Sequence, residues 1–132
     1  MPIRIVRLGT KRAEGEGLRV GTVRRPPRGV RKERYAPDDW FDAWLPELAP
    51  GAALVAQAQT AHGEADWARF TAAFRREMAE PTPARLLDLL AGLSHGAALS
   101  VGCYCESEAR CHRSVLRALL AERGAVIVDD GP

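Results

Sequence analysis

The feature that most constrains this chain is a strand–loop–helix signature in its last third. Ala97-Ala98-Leu99-Ser100-Val101-Gly102 is a short apolar run and reads as a buried strand. Cys103-Tyr104-Cys105-Glu106-Ser107-Glu108-Ala109-Arg110-Cys111-His112-Arg113-Ser114 follows it. Then Val115, Leu116, Leu119 and Leu120 recur at the spacing of one helix face. A strand that turns directly into a helix belongs to an α/β layer fold. Ligands of open α/β sheets sit outside the carboxyl ends of the strands. All three cysteines of the chain fall within nine residues at that turn, beside His112, Arg110 and Arg113.

The rest of the chain is read around that unit. Ile3 to Leu8 is a first strand with one wetter face, carrying Arg4 and Arg7. Gly9 to Gly17 is a polar loop, and Leu18 to Val23 is a second strand, weakened by Gly21. Arg24 to Arg34 holds two prolines and a glycine, which forbid regular structure, so it is a basic loop at a strand end. Pro37 suits a first helical position and Asp38 and Asp39 a helix start. A helix with Trp40, Phe41, Trp44 and Leu45 on its apolar face is expected there, ended by Pro46 and Pro50. Gly51 to Ala61 is Ala-rich and forms a short helix. Asp66 caps a helix through Ala79 whose stripe is Trp67, Phe70, Phe74 and Met78. Thr82-Pro83 caps another, with Leu86, Leu87, Leu89, Leu90 and Leu93 facing in. The motif helix runs to about Arg123 and stops at Gly124; Ala125 to Val128 is a last strand, and residues 129–132 are a frayed tail. The expected fold is a single α/β domain over residues 1–132, three-layered, with a mostly parallel sheet flanked by helices.

Two stretches together resemble a known family. Gly17-Leu18-Arg19-Val20, then Arg24 and Pro27-Arg28-Gly29-Val30, resemble the "G-x-R-V…D-R-x-W-P-R-G-V" signature of the YeaO-like proteins, which belong to domain-of-unknown-function family 488 (DUF488). Trp40 with Leu48-Ala49-Pro50 is similar to that family's "W…E-L-A-P" segment, and Trp67-Phe70-Phe74-Arg75 to its "W-x-x-F-x-x-x-Y" helix. Cys103…Cys111-His112-Arg113-Ser114 resembles the "C…C-H-R" turn of the broader family. Val23 stands where the signature has aspartate, and Pro26 where it has tryptophan. The resemblance implies an α/β fold with Arg24 and Arg28 near the Cys-His-Arg turn. It supplies no reaction.

Charge and composition narrow the function classes. The net charge of +2 argues against a dedicated nucleic-acid protein. The first residues lack a signal-peptide apolar region and no run is long enough to span a membrane, so a cytoplasmic protein is expected. Three cysteines are an odd, tightly grouped set, unlike a secreted disulfide framework. Of the 19 basic residues only Lys11 and Lys32 are lysines, and arginine forks suit phosphate or carboxylate.

Three chemistries follow for the turn. The first is an anion site for a nucleotide or phosphate ester. A helix start offers free backbone N–H groups, with Arg113, Ser114 and Cys105 beside it and Arg24 and Arg28 folding over. The second is a reactive thiol, with Cys111 as nucleophile and His112 as its neighbour, both catalytic, and a Cys111 thiol more acidic than usual. Cys105-x4-Arg110 also has the spacing of a rhodanese-type loop, where Glu106 and Glu108 would repel an anion. Cys103 reads as a small buried hydrophobe. The third is a metal site. Cys103, Cys105 and Cys111 with His112 make a Cys3His set, but adjacent Cys111 and His112 would diverge on a helix, so a metal-free protein is expected. His62 and His95 read as solvated turn residues. The leading expectation is a binder of an anionic small molecule at the turn. The alternative is a nucleic-acid or protein binding module using Arg19–Arg34, seven basic residues against one acidic. The sequence names no cofactor.

Overall fold

The computed structural model describes residues 2–60, 63–105 and 111–128. Four strands, β1 (Ile3–Arg7), β2 (Leu18–Gly21), β3 (Ala43–Trp44) and β4 (Leu99–Cys103), form one sheet in the order β1-β4-β2-β3. Every pairing is parallel. The motif strand β4 therefore lies in the middle, with Val101 opposite Ile5 on one side and Val20 on the other. All five of its residues are buried, which is why the run carries no charged residue. Ile127 adds a single parallel bridge to Ile3, the remnant of the expected last strand.

Four helices complete the chain: α1 (Ala52–Gln59), α2 (Gly63–Met78), α3 (Pro81–Leu93) and α4 (His112–Glu122). Ile3, Val20, Leu99 and Val101 join residues from all four helices in one core, including Phe70 and Phe74 of α2, Leu87 of α3 and Leu116 of α4. The α2 stripe is buried as its spacing predicts, and Trp67 stacks on Phe70 at 5.1 Å. Gly124, at φ +79°, stops α4 in the left-handed conformation glycine tolerates. Among the described residues no helix is long and apolar enough to cross a membrane.

The sheet's other face is covered differently from expectation. Parallel β2 and β3 need a crossover, and residues 22–42 supply it without an α-helix. Only a 3-10 turn, Lys32–Arg34, interrupts it. Leu8, Val23 and Phe41 pack there with Tyr35, Trp40 and Tyr104. Gly21 permits this closeness, since a Cβ on it would lie 2.5 Å from the Phe41 ring.

The helix expected from Pro37 is absent. Asp39 is left-handed at φ +64°, and the segment instead makes β3 and a 3-10 turn, Pro46–Leu48. The acidic residues are committed to distant cations rather than to a helix start. Arg12 pairs with Asp39 at 3.1 Å and with Asp42 at 2.7 Å, and the Arg19 backbone N–H donates to Asp42 at 2.8 Å. Asp66 lies inside α2, paired with Arg69, and is not its cap. On α3 only part of the leucine set faces in. Leu87 and Leu90 are buried, whereas Leu89 is 56% exposed and Leu93 44%. Five leucines in eight positions exceed the width of one helix face.

Candidate functional site

β4 delivers Cys103 to the carboxyl edge of the sheet, and α4 begins nearby with Cys111 as its N-cap. Cys103 and Cys111 are both buried, at 1% and 2% exposure, while Cys105 is exposed. Ligand atoms of Cys103, Cys111 and His112 all lie within 4.8 Å of one another. The expectation that Cys111 and His112 diverge is not met. Cys111 has extended backbone (φ −124°, ψ 151°), so the helical rotation between neighbours does not apply to it. Its Sγ sits 3.7 Å from His112 Nδ1.

The histidine is fixed from two sides. Nε2 lies 2.6 Å from the Thr22 carbonyl oxygen, which can only accept, so Nε2 carries the hydrogen. That leaves the Nδ1 lone pair aimed at the thiols. Phe74 of α2 meets the ring edge-on at 5.7 Å. Burial holds the imidazole below its ordinary pKa. Thr22 is itself tied to β4, its N–H and hydroxyl both donating to the Gly102 carbonyl at 2.9 Å.

The three thiols shift one another's acidities in opposite directions. Cys105 is drawn well below the usual thiol range by hydrogen bonds from Cys103 and Cys111, with smaller help from His112 and Arg113. Cys103 is pushed up, first by its hydrogen bonding to Cys105 and Cys111 and then by burial. Cys111 is also pushed up; hydrogen bonding from Cys103 works against this but is outweighed by Cys105 and by burial. This corrects the expectation of an acidic Cys111. The helix start favours a thiolate there, yet hydrogen bonding with Cys105 and then burial push the Cys111 thiol up. Cys103 is likewise a member of the cluster rather than a bystander in the core.

Arg113 is 3% exposed. Its NH2 group donates to the Cys105 carbonyl at 2.7 Å, and its Nε has no hydrogen-bond partner. No carboxylate among the described residues pairs with it. Ser114 serves the helix start instead of a ligand: its hydroxyl and its N–H donate to the Cys111 carbonyl at 2.9 and 3.0 Å. Arg24 has backbone partners of its own. Its guanidinium donates to the carbonyls of Pro50 and Ala49, at 3.2 and 3.4 Å. Arg28 is exposed. The structure thus brings together Cys103, Cys105, Cys111, His112 and Arg113. Arg110, Glu106, Glu108 and His62 lie outside the described residues, as do residues 129–132. His95 meets the Gly124 carbonyl at 2.9 Å, the turn role expected of it.

Two parts of the assembly had no sequence signal. The Thr22 carbonyl that orients His112 is one, since every residue carries a carbonyl. The other is a buried brace beneath the site. Arg19 of β2 pairs with Glu16 at 2.8 Å, and Ser100 of β4 donates to the same carboxylate at 2.7 Å. Arg19 also donates to the carbonyls of Thr10 and Asp39. At 0% exposure Arg19 does not belong to any basic surface.

No curated protein and no solved structure matches this chain significantly. A family model described as the active DUF488-N3 subclade, DUF488-N3a, matches residues 3–124, nearly the whole chain and every element of the site. With the Cys-His-Arg turn at the carboxyl edge of its parallel sheet, the chain belongs to the DUF488 family.

Proposed function

We propose that this protein binds an anionic small molecule, a nucleotide or a phosphate ester, at the start of α4, with Arg113 as its receptor. The observation that carries the reading is the state of Arg113: a buried guanidinium that donates to the Cys105 carbonyl, with an unpartnered Nε and no carboxylate partner among the described residues. A cation held out of water is costly unless an anion balances it. The start of α4 adds the partial positive charge of its helix dipole in the same place. The position outside the carboxyl end of a central parallel strand is where α/β sheets take ligands. Cys105, the exposed thiol of the cluster, is the group positioned for nucleophilic chemistry on such a ligand.

The alternative, a polyanion bound along Arg19–Arg34, loses three of its seven basic residues to the fold. Arg19 is buried against Glu16, Arg24 is held by carbonyls, and Arg34 pairs with Asp38. That favours a small anion over a nucleic acid.

Calorimetric titration with inorganic phosphate and with AMP tests the reading. Wild type is expected to bind, Arg113→Lys to bind more weakly through its point charge, and Arg113→Met not to bind. Equal binding by Arg113→Met and wild type overturns it. A steep salt dependence of oligonucleotide binding, with no phosphate or AMP bound, transfers the function to the polyanion reading.

A further inference from the structure

We infer that Cys103, Cys111 and His112 form a site for one soft divalent cation of the Zn²⁺ class. The donor set is two thiols and one imidazole nitrogen, the ligand types such ions prefer. Their atoms already converge within 4.8 Å. Bonds of about 2.3 Å to sulfur and about 2.0–2.1 Å to nitrogen, at a tetrahedral angle, put the two donors about 3.6 Å apart. The Cys111 Sγ to His112 Nδ1 separation is 3.7 Å.

The outer partners fit as well. A ligating imidazole usually donates its other N–H to a carboxylate or a backbone carbonyl, which fixes the tautomer and the ring plane. Here Nε2–H meets the Thr22 carbonyl at 2.6 Å, and Phe74 flanks the ring. Thr22 is in turn bonded to Gly102, the residue before Cys103, so one short network positions two of the three donors. Elements far apart in the sequence therefore hold the trio before any ion arrives: β4, the end of β2, α2 and the cap of α4.

Charge bookkeeping links this site to the proposed function without depending on it. Two thiolates and a neutral imidazole cancel a divalent ion, so the loaded trio adds no net charge beside Arg113. Three protein donors leave a fourth position, and an anionic ligand placed against Arg113 can fill it. Cys105 lies outside the trio and is not required for the ion.

The experiment uses the full chain purified under reducing conditions. Zinc is measured by elemental analysis, and the chelated protein is titrated with Co²⁺. The expected results are roughly one ion per chain and a thiolate-to-cobalt charge-transfer band with tetrahedral d–d absorption. Cys111→Ser and Cys103→Ser should weaken Co²⁺ binding by more than the 10- to 100-fold that loss of an outer partner typically costs, roughly. Cys105→Ser should keep both stoichiometry and band. Circular dichroism establishes that each variant is folded, and the wild-type Co²⁺ spectrum stands by itself if a buried-cysteine variant is not. Absence of the charge-transfer band in the reduced wild type overturns the inference, as does undiminished Co²⁺ binding by folded Cys111→Ser. Loss of the ion in Cys105→Ser overturns the open fourth position. Phosphate binding by the chelated protein with no Co²⁺ band sinks the metal site and leaves the anion site standing. A Co²⁺ band with no phosphate or AMP binding does the reverse.

Discussion

Replacing Glu16 with glutamine should unsettle the protein more than any surface change, because it opens the brace under the site. The Glu16 carboxylate accepts hydrogen bonds from Arg19 Nε at 2.8 Å and NH2 at 3.0 Å, from the Ser100 hydroxyl at 2.7 Å and from the Ala13 N–H at 3.0 Å. Both partners of the ion pair are buried, Glu16 at 3% exposure. Burial pushes the carboxyl upward, but the bonds from Arg19, Ser100 and Ala13 outweigh it and hold the pKa at about 2, against an ordinary 4.5. At 1.36 kcal/mol per pKa unit that difference is about 3 kcal/mol of stability linked to one proton. The folded value is depressed, so this stability is fully present above pH 4.5 and is lost as the pH falls toward 2. Glu16→Gln keeps the shape but strands the Arg19 guanidinium, a loss of about 3–5 kcal/mol at neutral pH. Urea denaturation followed by circular dichroism, at pH 7 and at steps down to pH 2.5, measures both effects. Wild type should have the higher midpoint at pH 7, and the two should converge in acid. A Glu16→Gln variant within about 1 kcal/mol of wild type at pH 7 would refute the reasoning, as would parallel acid transitions. The double variant Glu16→Leu with Arg19→Met should be less unstable than Glu16→Gln alone, since it removes the stranded charge.

Two further predictions concern the frame around the site. Gly17 has φ +79°, and a Cβ there would lie 2.0 Å from the Ala98 carbonyl oxygen at the foot of β4, so Gly17→Ala should cost at least about 2 kcal/mol in the same denaturation assay. A midpoint equal to wild type would mean the turn relaxes freely. On α3, Leu87→Ala should cost about 2–5 kcal/mol, because the side chain is fully buried, whereas Leu89→Ser, 56% exposed, should stay within about 0.5 kcal/mol. Equal losses at the two positions would place the helix face wrongly.

The sequence by itself determined whatever rests on local periodicity. The stripe of Phe70, Phe74 and Met78 specifies α2 and its buried face, since residues three and four apart must share a side. The uncharged run of β4 specifies a central strand, and Val115 to Leu120 the helix that follows it. The strand–loop–helix turn and its Cys-His-Arg content were therefore legible, and with them the α/β class. Tertiary structure decided the questions whose answer is a distant partner. Asp38 and Asp39 read as a helix start next to Pro37, yet Arg34 and Arg12 claim them. Arg19 reads as part of the basic Arg19–Arg34 segment, yet Glu16 and two carbonyls hold it out of water. Cys111 and His112 are neighbours in sequence under either geometry. An extended cap residue, and a Thr22 carbonyl ninety positions away, turn their donor atoms toward Cys103. Periodicity is written in side-chain identity, whereas a backbone carbonyl is the same at every position, so its role as a partner exists only once the chain has folded.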